Sequence, residues 1–171
     1  MRVSDNAVLK AVVVGVAGLS IFFAICGPHL SAQQRPDFSG HYIHRADKSS
    51  YVHNSLTVRL TVTQNAETLE VVMTFEGGKS TTSRYALDGA ETSNMTPVGG
   101  VPTKNRVKFK GKRMIITTQA SGITPDGSFE ITREWESSPD LQTLTIKSRV
   151  HYPADWNLDR SWSEKYVREK L

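Results

Sequence analysis

From residue 37 onward, apolar and polar residues alternate in short runs separated by turn-forming residues. The clearest run covers residues 56–63, where Leu and Val alternate with Thr and Arg, and residues 69–75 repeat the pattern. Alternation with a period of two in β-branched residues is typical of a strand with one buried face. Such runs predict about nine strands, at residues 38–44, 56–63, 69–75, 81–87, 106–110, 114–118, 129–135, 144–150 and 161–168.

The spacing of these runs predicts an all-β fold. Strands repeating every 8–12 residues are typical of sandwiches and barrels, and short sequential hairpins favour an up-and-down meander. The tail, residues 161–171, fits a helix or a strand; we favour a strand, because a closing strand removes the exposed edges of the sheet. The expected fold is an antiparallel meander barrel of about 8–10 strands.

The N-terminus predicts export. A weakly positive start precedes residues 11–26, which carry no charge, and a helix-breaking Gly-Pro pair then leads to the small residue Ala32. These are the parts of a secretory signal peptide, and 16 apolar residues fall short of the roughly 20 that span a bilayer. We expect a signal helix cleaved after Ala32, which leaves residues 33–171 as one domain in the periplasm or outside the cell. An uncleaved N-terminal membrane anchor is the alternative.

Cleavage would also remove Cys26, the one cysteine of the chain. A cysteine after an apolar run can carry a lipid, but the bulky Ile25 before it disfavours that modification. The mature domain would then have neither disulfides nor thiol chemistry, and no stable membrane insertion. Its net charge of +3, from 19 basic and 16 acidic residues spread along the chain, does not indicate a nucleic-acid partner.

Residues 37–42 (Asp-Phe-Ser-Gly-His-Tyr) resemble the Phe-x-Gly-x-Trp opening of lipocalin-like (calycin) barrels, with Tyr42 in the place of the Trp. They also resemble the Asp-Phe-Ser-Gly opening strand of small exported bacterial proteins of unknown function. The resemblance implies a barrel floor closed by Gly40 and Tyr42, with Arg168 of the last strand packed across them. It implies no catalytic residue.

The sequence contains no recognisable catalytic motif. It lacks a Gly-x-Ser-x-Gly nucleophile and a complete phosphate-binding loop. His41 and His44 would point to opposite faces of one strand, which makes them poor partners for a metal. We therefore predict no catalytic residue, no metal and no cofactor, and we rank an enzyme as the least favoured of three functions.

The same alternation places two opposite charges, Arg133 and Glu164, on inward faces among aromatic residues. A buried charge must be compensated, so we expect these two residues to form an ion pair. Candidate ligand-binding residues on these faces are Tyr85, Asn105, Arg133, Trp135, Trp162 and Glu164. The alternative is a purely structural ion pair, or two residues at the wet rim of the barrel.

Two further segments have competing interpretations. Residues 106–113 carry five positive charges, which suit an anionic surface but more often protect an exposed strand from edge-to-edge pairing. Residues 95–103 contain two prolines and two glycines and predict a loop over the barrel mouth.

The favoured function is an exported, non-enzymatic barrel that binds a small apolar or amphipathic ligand. The alternative is a structural or interaction protein of the cell envelope that acts through its outer face, with a packed interior. The volume of the interior distinguishes these two functions.

Overall fold

A computed structural model describes residues 35–50, 57–96, 100–124, 127–152 and 159–170. This part of the chain forms one antiparallel sheet of ten strands, which confirms the all-β prediction. In chain order the strands are β1 (Gly40–His44), β2 (Val58–Gln64), β3 (Thr68–Phe75), β4 (Ser80–Ala86), β5 (Thr92–Met95), β6 (Pro102–Lys110), β7 (Arg113–Thr124), β8 (Gly127–Ser137), β9 (Thr143–His151) and β10 (Arg160–Arg168). A short 3-10 turn, Ala46–Lys48, follows β1.

The sheet has the up-and-down topology that the sequence predicts. Its strand order is β4-β3-β2-β1-β10-β9-β8-β7-β6-β5, so the first and last strands are neighbours. Their register places Tyr42 opposite Arg168, and it confirms that the tail forms a strand. The sheet therefore curves round so that its two free edges, β4 and β5, face each other.

Side-chain hydrogen bonds, rather than a backbone ladder, join β4 to β5. The Arg84 backbone N–H donates to Asn94 Oδ1 over 2.9 Å. The Asn94 amide nitrogen donates in turn to the Arg84 carbonyl, also over 2.9 Å. One asparagine thus reproduces both bonds of a backbone pair, and the sheet is a near-barrel with a seam at this point.

Inward-facing side chains from several strands form an apolar core. Phe38, Leu69, Met114, Ile116 and Leu144 are completely buried in it. Phe38 and Trp135 meet edge to face with ring centroids 6.0 Å apart. Burying a large apolar side chain contributes about 1.5–3 kcal/mol, so a domain without disulfides can be held by this cluster.

The structure also differs from the sequence-based expectation. Strand β5 was not predicted, and β6 begins at Pro102, so Met95, Pro102 and Thr103 of the predicted loop 95–103 belong to strands, while residues 97–99 of that loop lie outside the described residues. Phe38 precedes β1 rather than pairing within it, and its N–H donates to the Gln64 side chain. The predicted signal peptide and its cleavage site lie outside the described residues. Within the part that is described, no helix has the length and hydropathy to cross a bilayer.

Candidate functional site

A chain of polar side chains crosses the inner faces of β6, β7 and β8. Thr118 Oγ1 donates to Asn105 Oδ1 over 2.8 Å, and the Asn105 amide nitrogen donates to Thr103 Oγ1 over 3.1 Å. All three residues are at most 5% exposed. Arg133 on β8 joins this chain through one long bond of 3.4 Å to Thr118 Oγ1. A buried polar network of this kind holds its members in fixed orientations.

Glu164 is held from both sides along β10. Tyr166 Oη donates to Glu164 Oε1 over 3.1 Å, and Trp162 Nε1 donates to Glu164 Oε2 over 3.2 Å. Residues two apart on a strand share a face, which is why both neighbours reach the same carboxylate. Burial raises the pKa of the Tyr166 hydroxyl well above its ordinary value, and the charge and hydrogen bond of Glu164 raise it further. The nearby positive charge of Arg133 acts in the opposite direction.

Arg133 and Glu164 do not form the ion pair that the sequence suggests. Among the ion pairs of the described residues, within 4.0 Å, none joins these two side chains. Trp162 on β10 lies opposite Ser148 on β9, and Ser148 lies opposite Arg133 on β8. Glu164 comes two residues after Trp162 and shares its face of the strand. The two charges therefore face the same space from strands that are not adjacent, and each makes its own hydrogen bonds.

That space is a cavity of about 90 Å³ inside the near-barrel. Its charged lining residues are Arg133 and Glu164, and apolar side chains form much of the remaining wall. The apolar part comprises Leu60, Val71, Met73, Ile131, Trp135 and Ile146. Met95, at the end of β5, also lines the cavity and is 58% exposed, so the cavity reaches the surface beside the β4–β5 seam.

Two buried polar atoms next to these charges lack hydrogen-bond partners among the described residues. One is the indole N–H of Trp135, which is 4% exposed and lines the cavity. The other is the hydroxyl of Ser148, directly opposite Arg133 on β9. An unpaired buried donor costs roughly 1–3 kcal/mol, and both atoms are closed off by the surrounding protein.

The structure brings five of the six predicted ligand-binding residues around this one cavity. Tyr85, Asn105, Arg133, Trp135 and Glu164 line it. Trp162 touches the site through its bond to Glu164 and otherwise lies beside a groove on the outer face. Their role in binding a ligand stays a prediction.

Sequence reasoning did not assign Thr118 and Thr103 to the site. Thr118 continues the inward alternation of Met114 and Ile116, so the period of two contained the signal. Thr103 fell within a segment predicted to be a loop.

The predicted floor residues Gly40, Tyr42 and Arg168 come together where β1 pairs with β10. The guanidinium of Arg168 lies 5.5 Å from the centre of the Tyr42 ring and donates a short hydrogen bond to the Ser39 carbonyl. A Cβ atom on Gly40 would lie 2.7 Å from Arg168 Nη2, and the Gly40 φ angle of +154° also disfavours a side chain. The Tyr42 hydroxyl donates to the Phe38 carbonyl over 3.0 Å. These contacts tie the first and last strands together beneath the core.

The remaining candidate chemistry is on the surface. No group of three or more metal-binding side chains occurs in the described ranges, and His53 is outside them. The described histidines each hydrogen-bond one polar side chain: His41 with Thr61, His44 with Ser49, and His151 with Asp159. The His44 ring also packs against the Tyr166 ring, with centroids 5.2 Å apart. In the basic segment 106–113, Arg106 pairs with Glu91 and Arg113 with Glu134 on the outer face.

Comparison with known proteins identifies the fold. No protein-family model and no curated protein sequence matches the chain. Among solved structures, the REP1-NXSQ fatty acid transporter matches with a TM-score of 0.61 and 16% identity, over 79% of this chain and 98% of that one. The zebrafish ileal bile acid-binding protein in complex with cholic acid matches at 0.58 and 13%, over 77% and 98%. Fatty-acid-binding protein 1 of Echinococcus granulosus matches at 0.56 and 13%, over 78% and 98%.

The chain therefore shares the β-barrel fold of these fatty-acid- and bile-acid-binding proteins, and a barrel is the fold that the opening motif implied. At these identities the likeness shows the fold alone. The further likeness of residues 37–42 to small exported bacterial proteins stays a prediction.

Proposed function

We propose that the chain is an exported, non-enzymatic barrel protein that binds one small amphipathic molecule in its interior cavity. The observation that carries the proposal is the side chain of Arg133. The half-buried Arg133 lines a cavity with both apolar and polar walls, has no carboxylate within ion-pair distance among the described residues, and makes one long hydrogen bond. A charge kept in such surroundings without a partner is costly, and a polar ligand group beside it offsets that cost.

The size of the cavity restricts the ligand. A volume of about 90 Å³ is below the roughly 300–1,000 Å³ of sites for drug-sized ligands. An occupant must therefore displace side chains, and the flexible, half-buried Met73 and the exposed Met95 are suited to move. We propose a slender ligand whose chain passes these methionines and whose polar end reaches Arg133.

The proteins of similar fold support an amphipathic ligand. Two are named for fatty acids and a third is complexed with cholic acid. Fatty acids combine an apolar chain with one polar end, and cholic acid also combines apolar and polar surfaces. The lining of the present cavity likewise has an apolar part and a polar part. The identity of the ligand does not transfer between chains, because function depends on the site rather than on the fold.

The proposal can be tested with a neutral apolar dye, N-phenyl-1-naphthylamine, whose fluorescence rises in apolar surroundings. We expect the wild type to bind one dye molecule. Ser83 lines the cavity, whereas its neighbour Thr82 is exposed. Ser83→Phe should weaken dye binding at least about tenfold by filling the cavity, and the matched control Thr82→Phe should bind like the wild type. Equal binding by both variants would place the ligand elsewhere and contradict the proposal.

The second candidate function, a role of the outer face, is supported by a groove of about 510 Å³ across β8, β9 and β10. Its outward-facing lining includes Thr132, Glu134, Lys147 and Arg149. This groove is larger than the interior cavity and mixes both charges, as suits a polar partner in the cell envelope. Retention of an envelope partner by Ser83→Phe, combined with loss on changing Lys147 and Arg149 to Ala, would favour this function.

Export belongs to the same proposal and rests on the sequence of residues 1–32. The uncharged run of 16 residues and the small residue Ala32 support a cleaved signal peptide. Protein recovered outside the cytoplasm should have the mass of a chain that begins at Gln33. A full-length mass in the membrane fraction would instead support an N-terminal anchor.

A further inference from the structure

We propose that the interior cavity selects ligands whose polar end carries no net charge, such as primary amides and alcohols, over carboxylates or ammonium ions with the same apolar chain. This inference rests on the proposed function and names the ligand class of the same site. It follows from the balance of charge and hydrogen-bonding capacity around the cavity.

The polar part of the cavity has no net charge. Arg133 and Glu164 are the charged residues among its described lining, one of each sign. Because they are not in direct contact, neither charge cancels the other locally. A ligand group that enters beside them therefore meets a positive side and a negative side within the same small space.

Both sides keep hydrogen-bonding capacity. A guanidinium has five N–H donors, and Arg133 uses one of them in a long bond to Thr118. A carboxylate has about four acceptor positions, and Glu164 uses two of them, for Trp162 and Tyr166. The site thus offers donors on β8 and an acceptor on β10.

A group that both accepts and donates hydrogen bonds satisfies the two sides together. The carbonyl oxygen of a primary amide can accept from Arg133, and its N–H₂ can donate to Glu164. A hydroxyl group can do the same with one donor and two acceptor positions. Neither group brings a net charge into the cavity.

Each charged alternative satisfies only one side. A ligand carboxylate is attracted by Arg133, but it is repelled by Glu164 and has no proton to donate to it. An ammonium ion is attracted by Glu164, but it is repelled by Arg133 and cannot accept a hydrogen bond from its guanidinium. Like charges in surroundings of low dielectric constant repel more strongly than in water, so either ion loses affinity.

The test compares three probes with one apolar chain: decanoate, decanamide and decylammonium, each titrated into the wild type at neutral pH by calorimetry and by displacement of N-phenyl-1-naphthylamine. We expect decanamide to bind at least about tenfold more tightly than either ion. In Glu164→Gln, decanoate should gain about tenfold while decanamide changes little. Glu136 is exposed on the outer face of β8, so Glu136→Gln is the matched control and should keep the order of the wild type.

The outcomes separate this inference from the proposed function. If decanoate or decylammonium binds wild type most tightly, the inference is overturned while ligand binding itself stands. If the dye binds but none of the three probes displaces it, the inference is also overturned. Failure of both the dye and the probes to bind would refute the proposed function as well. The wild-type series decides the question even if Glu164→Gln does not fold.

Discussion

At the scale of single residues, the inner wall of the barrel carries one half-buried guanidinium and one half-buried carboxylate. Glu164 is compensated by the hydroxyl of Tyr166 and the indole of Trp162. Arg133 has a single long bond to Thr118, so it is the less satisfied of the two charges. A charge that the protein itself does not fully compensate is where a ligand gains most from binding.

The contact between Tyr166 and Glu164 predicts a stability effect at alkaline pH. Because burial and Glu164 raise the pKa of Tyr166 in the folded state, the unfolded chain loses this proton first, near its ordinary pKa of about 10. The free energy of unfolding should therefore fall above that pH, by up to about 1.4 kcal/mol per pH unit from this group. Below that pH, both states hold the proton and the group contributes no slope.

Urea unfolding between about pH 9 and 11 measures this effect as the difference between wild type and Tyr166→Phe. Phenylalanine cannot ionise, so the variant should show the shallower decline. Parallel curves would mean that Tyr166 ionises alike in both states, contrary to its buried position beside Glu164.

At the scale of strands, the β4–β5 seam depends on the side chain of Asn94. Backbone ladders join all the other neighbouring pairs of the ten described strands, whereas the Asn94 side chain makes two hydrogen bonds to the Arg84 backbone across the seam. The cavity also reaches the surface near Met95, one residue further along β5. The weakest join of the barrel therefore lies beside the opening of the cavity.

Asn94→Ala should loosen this seam without unfolding the barrel. Loss of the bond to the Arg84 N–H should speed hydrogen exchange of that amide about two- to tenfold, as expected for a net 0.5–1.5 kcal/mol hydrogen bond. Amides in the β2–β3 ladder should change much less. Ser93→Ala, at the exposed neighbouring position, is the control. Equal exchange of the Arg84 amide in both variants would show that other contacts hold the seam.

The sequence predicts most strands because alternation reports directly on a sheet with one buried face. Residues 58–62, 69–75 and 144–150 show it clearly. Strand β5 escaped prediction because Thr-Ser-Asn-Met has no apolar alternation and pairs through its backbone with β6 alone. The prediction of an Arg133–Glu164 ion pair was also wrong, because alternation fixes the face on which a residue lies but not the curvature that sets distances across a barrel.

At the scale of the whole molecule, the interior of the barrel consists of an apolar core and a cavity with a partly charged lining. Phe38, Tyr42 and Leu144 belong to the core, while Arg133 and Glu164 line the cavity. The fold is shared with proteins at 13–16% identity, so the binding properties must come from the interior residues rather than from the topology. This arrangement supports the proposed binding of one small amphipathic molecule.

Native mass spectrometry of protein purified gently from a secreting host tests that claim most directly. We predict one bound small molecule on the wild type, lost on denaturation, and absent from Ser83→Phe purified in the same way. A bare wild-type mass, or the same bound molecule on Ser83→Phe, would contradict binding in the interior cavity and direct attention to the outer face.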